Sequence, residues 1–97
     1  MVDSANYVKN LVLRIGIIPN DTRWEENSFR IHLMTKEDDV HIVFDENRDA
    51  TTKDFLLAKN IDIVFNVDKV RRISAVCEHS VGKELYIGVE YADTKTK

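Results

Sequence analysis

A chain of 97 residues with 43% hydrophobic and 32% charged side chains has material for one core, which excludes a multi-domain assembly, a collagen-like repeat and a largely disordered chain. Its net charge of −3 conceals an acidic middle, for between Asp21 and Asp54 ten acids stand against five bases. That balance disfavours general binding to phosphate backbones and suits a basic protein surface as partner.

Residues 5–15 follow Ser4, a candidate N-cap, and carry Ala5, Val8, Leu11, Val12 and Ile15 at helical spacing, with Gly16 placed to end a helix. The spacing predicts an N-terminal helix. Against it stands the alternation of Leu11, Leu13, Ile15 and Ile17, and a helix leaves Leu13 exposed. Pro19, Asn20 and Asp21 then mark a loop holding one large aromatic, Trp24.

From Ser28 the period becomes two. Phe29, Ile31 and Leu33 form one apolar face, and Val40, Ile42 and Phe44 another. If both point into one core as an antiparallel hairpin, Leu33 pairs with Val40, Ile31 with Ile42 and Phe29 with Phe44, so His32 lies opposite His41 across a loop at 35–38. Thr51 or Thr52 is placed to cap a short helix running to Lys59. Three more strands follow. In the first, Ile61, Ile63, Phe65 and Val67 turn inward; residues 68–78 fit neither period cleanly and read as a bulged strand; residues 83–91 alternate Leu85, Ile87, Val89 and Tyr91 with polar or small residues. Residues 1–4 and 92–97 read as frayed ends of the single domain 1–97.

The expected order is therefore α-β-β-α-β-β-β. This is an α+β fold, with the N-terminal helix packed on a mainly antiparallel five-stranded sheet or capping a small barrel. In outline it resembles the Sm-like and SH3-like small barrels, and outline carries no residue roles with it.

Several clusters invite a chemical reading. A facing His32–His41 pair offers two imidazoles to a metal, and Cys77 and His79 stand two residues apart, but structural zinc takes four ligands at tight spacing, so no metal site is expected. Asp45, Asn47 and Asp49 begin like a calcium loop. Ala50 then stands where that loop needs glycine, and Leu56 where it needs glutamate. Three scattered glycines supply no phosphate loop, and no nucleophile motif is present. No catalytic residue and no cofactor is expected.

The remaining features point to binding. Trp24 either folds back to plug the core edge, the more frequent fate of a loop aromatic, or protrudes as an anchor. In the second case, with Glu25 and Glu26 beside it and Glu37, Asp38 and Asp39, it makes a candidate contact surface for a basic protein, of the regulatory, inhibitor or immunity kind. Lys69, Arg71 and Arg72 form the one basic concentration and the alternative, a nucleic-acid or phosphate contact. A homomeric assembly through strand edges or Trp24 is the third reading. The lone Cys77, an N-terminus without a basic region ahead of an apolar run, and a longest apolar stretch interrupted by Arg14 suggest a cytoplasmic protein with no membrane segment.

Overall fold

A computed structural model describes residues 6–78 and 82–92, and within them every regular element is a strand. The strands are β1 (Asn6–Ile15), β2 (Asn20–Thr35), β3 (Val40–Val43), β4 (Phe55–Leu57), β5 (Ile63–Val76) and β6 (Lys83–Ala92). They form a single antiparallel sheet in the order β1-β6-β2-β5-β3-β4, curled into a half-barrel. The α+β expectation is overturned.

The N-terminal helix is replaced by β1, and burial shows why. Leu13 lies in the core while Val8 and Val12 stay exposed, the reverse of the helical reading; Ile15 is buried on either reading. Among β-branched residues the period-two pattern wins, because β1 runs beside β6 without a register break from Asn6↔Ala92 to Ile15↔Lys83. Ala92, expected to fray, closes that ladder; residues 1–4 and 93–97 lie outside the described residues.

β2 and β5 build the curl together. Arg23 faces Arg72 and Ser28 faces Val70, so Trp24 to Asn27 of β2 stand against Arg71 alone; then Ser28↔Val70 gives way to Arg30↔Asn66, and β5 carries the surplus. Reciprocal bulges of this kind bend both strands at one place. Lys69, at φ 58°, takes the left-handed conformation at the bend. The Val70 carbonyl pins it, accepting the Trp24 indole N–H at 3.0 Å and the Ser28 hydroxyl at 2.7 Å. A straight β5 would hold Ile63 and Val76 about 43 Å apart. The link from Thr35, near one end of β5, to Val40, near the other, reaches at most about 18 Å, so the sheet has to fold its two arms together.

The core fills the space between the arms. Leu13, Ile15, Ile31, Leu33, Leu85, Ile87 and Val89 come from one side, and Trp24, Val40, Ile42, Leu57, Ile73, Ala75 and Cys77 from the other. Phe65 closes the open edge with edge-to-face contacts to Phe44 at 5.2 Å and Phe55 at 5.4 Å.

The second expected helix is also absent. Residues 44–54 instead lie over the outer face of β3 and β5, held at successive points: Arg72 binds the carbonyls of Asp45 and Arg48, Ser74 Oγ accepts the Ala50 N–H at 2.9 Å, and His41 Nδ1 meets the Asp54 carbonyl at 3.0 Å. Thr51 does not cap a helix, because the Asp54 carboxylate accepts its N–H and hydroxyl and closes a turn into β4.

The β2–β3 hairpin fails too. β2 is flanked by β5 and β6, while β3 lies on the far edge of β5 against β4. Val40 pairs with Leu57 and Ile42 with Phe55 and Ala75, whereas Leu33 pairs with Ile63 and Ile87. Period two sets which face is buried but not which strand is the neighbour.

Candidate functional site

The candidate partner-binding residues separate into two groups. Trp24 is 6% exposed and packs in the core, so it plugs the bend. Glu25 beside it is exposed. The Glu26 carboxylate accepts two bonds from Lys9 Nζ, at 2.9 and 3.0 Å, which are the main cause that holds Glu26 below its ordinary pKa and Lys9 above its own.

Glu37, Asp38 and Asp39 form the tip of the connection between β2 and β3. Asp38 accepts the Asp39 N–H at 2.8 Å, and Asp39 accepts the Lys59 N–H at 2.9 Å, tying this turn to the segment after β4. Asp38 and Asp39 meet His41, Leu56 and Glu78 around a depression of about 90 Å³. Leu56 is 49% exposed and its neighbour Phe55 50%.

His41 is 6% exposed, and its two ring nitrogens face the Asp54 carbonyl and the Glu78 carboxylate, at 3.0 and 2.8 Å. Both partners are acceptors, so the arrangement calls for an imidazolium donating from both nitrogens. Burial alone lowers the His41 pKa, but the bonds to Asp54 and Glu78 outweigh it and the net shift is upward. Burial raises the nearby Cys77 thiol, and Asp38 and Asp39 add to the rise. The thiol is thereby kept protonated and unreactive.

The basic trio does not share a surface. Lys69 and Arg71 are exposed, whereas Arg72 is 5% exposed and fully engaged. Its Nε donates to Asp21 at 2.8 Å, one terminal nitrogen to the carbonyls of Asp45 and Arg48, and the other to Asp49 at 2.6 Å. The loop that begins like a calcium site thus gives its oxygens to an internal guanidinium. Strand alternation puts Arg71 and Arg72 on opposite faces.

His32 and His41 do not meet. His32 lies in a row Asn10–Gly88–His32–Val64 across β1, β6, β2 and β5, bonded through Nε2 to Glu90. Glu90 is held below its ordinary pKa, first by His32 and also by Arg30. Among the described residues no three His, Cys, Asp or Glu side chains converge as metal ligands, and His79 lies outside them.

Comparison with protein-family models, curated proteins and solved structures returns no match. Function has to be read from the surface alone.

That surface has a second feature, which periodicity hid by assigning Val8 and Val12 to the core. The outer face of β1, β6, β2 and β5 carries a cleft of about 720 Å³ floored by Gly88 and walled by Val8, Val12, Met34, Val64 and Tyr86. His32 and Glu90 also line it, His32 in the same row as Gly88. A sheet face turned to water is ordinarily polar; here Val8 and Val12 are each 58% exposed. No described helix is long and apolar enough to cross a membrane.

Proposed function

We propose that the chain is a small non-catalytic protein-binding module, of the regulatory, inhibitor or immunity kind, whose acidic tip meets a basic protein surface. The observation that carries this reading is the convergence of Asp38, Asp39 and Glu78 around exposed Leu56. An apolar centre within a charged rim is the arrangement of a contact hot spot, and a concentrated negative rim speeds encounter with a positive partner. Leu56, not Trp24, is then the apolar anchor, and Glu37 extends the rim. A cytoplasmic setting belongs to the same proposal, supported by the single cysteine of the sequence.

The test is affinity capture from source lysate followed by mass spectrometry, with the tip charge reversed by Glu37→Lys and Asp38→Lys and the anchor removed by Leu56→Ser. Asp39 is left intact because it holds the Lys59 N–H. A basic protein retained by the native chain, released by moderate salt and lost with these substitutions supports the reading. Retention of nothing, or of a partner indifferent to the substitutions, sinks it.

A further inference from the structure

We propose that β1 is a dimerisation edge, pairing antiparallel with β1 of a second copy about a two-fold axis at Asn10. Among the described residues β1 ends the sheet, so no strand pairs with one side of it; near its C-terminal end the Arg14 carbonyl accepts the Asn20 side-chain amide at 2.9 Å. Exposed edges are usually blunted by proline, by a bulge or by an outward lysine. β1 contains no proline, and its ladder with β6 has no register shift. Its one lysine, Lys9, is drawn back over the sheet to Glu26, leaving a long, regular edge without its usual defences.

The side chains select the occupant. In a symmetric antiparallel pair the facing residues share a face, so the axis must pass through a residue. An axis at Asn10 sets Val8 against Val12 of the second copy, and Val12 against its Val8. The four most exposed apolar groups of the two edges then cover one another in two rows that flank the Asn10 pair. Moving the axis to Leu11 sets Val8 against Arg14, and moving it to Val12 sets Asn10 against Arg14. At Asn10 no like charges face each other, since Lys9 meets Leu11 and Arg14 meets Asn6. The symmetric spacing of Val8 and Val12 about Asn10 thus suits a second copy of this chain. The joined sheet would continue the outer apolar face across the axis.

Sedimentation equilibrium on the full chain is expected to show a concentration-dependent rise from the 11.2 kDa monomer to twice that mass. Val8→Lys with Val12→Lys places like charges opposite in both rows and is expected to leave only monomer. Val8→Lys with Val12→Glu places opposite charges in both rows and is expected to restore the dimer. Asn10→Cys, on the axis, is expected to form a disulfide with its own copy under mild oxidation, because facing strand residues lie within disulfide reach; native Cys77 is buried. A native chain that stays monomeric at the highest attainable concentration overturns the proposal. So does a double-lysine variant that dimerises like the native chain, or a dimer that neither the charge exchange restores nor Asn10→Cys cross-links. Far-UV circular dichroism checks that each variant folds, and the tip substitutions Glu37→Lys and Asp38→Lys should leave the mass unchanged.

Discussion

At the scale of single residues, the buried polar groups are the ones that sequence periodicity misassigns. His41 alternates like a solvent-facing residue, yet it is buried because residues 44–54 cover its face. Its pKa is raised above the ordinary 6.5 in the folded chain. The extra stability is therefore fully present below about pH 6.5 and is lost as pH rises through the folded-state pKa. Urea unfolding of the native chain and of His41→Gln should show a gap that is widest near pH 6 and closes towards alkaline pH; a pH-independent gap would contradict a cationic His41. Thr35 is the opposite case. It is fully buried, and among the described residues its hydroxyl has no partner, so Thr35→Val should raise stability by about 1 kcal/mol in the same assay.

At the scale of elements, the unexpected piece is the segment between β3 and β4. Its sequence reads as an acidic loop leading into a helix, but Arg72, Ser74 and His41 project from the sheet to take its carbonyls, its carboxylate and one N–H. No local signal announces this, because the partners sit on other strands, Arg72 and Ser74 more than twenty residues away in β5 and His41 in β3. Arg72→Ala removes the central tie and should destabilise the chain by about 3 kcal/mol, because the carbonyls of Asp45 and Arg48 and the carboxylates of Asp21 and Asp49 lose their common donor at once. Arg72→Lys should recover little of that, since an ammonium lacks the planar fork that reaches Asp21 and Asp49 at once. Chemical denaturation distinguishes the two; full rescue by lysine would show that charge alone matters. β6 was the most legible element, with Leu85, Ile87 and Val89 buried as their alternation predicts. β1 was the least, because Val8, Leu11, Val12 and Ile15 satisfy a helical period and Leu11, Leu13 and Ile15 a strand period in the same stretch.

At the scale of the whole molecule, the strand order governs how the chain folds. β1 must wait for β6, and β2 for both β5 and β6, so most stabilising contacts close long loops. Refolding followed by Trp24 fluorescence should take about milliseconds to seconds, in the range of sheet proteins dominated by non-local pairing. Trp24 is a direct probe of that closure, because its indole reaches the Val70 carbonyl only when the bends of β2 and β5 coincide. A microsecond phase carrying the whole amplitude would show that the bend forms locally. Of the acidic tip, Glu37, Asp38 and Asp39 were legible as a charged turn; Glu78 and Leu56, which complete it, were not.

The amino-acid sequence by itself determined that the middle of the chain is acidic and that Ile31 and Leu33 of β2 and Leu85, Ile87 and Val89 of β6 face inward, because charge and alternation are local properties. Phe29, read on the same face, is left out of the core where the bulge at Ser28 breaks the alternation. The tertiary structure decided that residues 6–15 are a strand, that His32 and His41 part company, that Arg72 is a structural cation, and that β1 ends the sheet with two valines in water. Each depends on which strand lies beside which. That choice is made by matching faces, bulges and buried polar groups across the whole chain, and no single segment carries it.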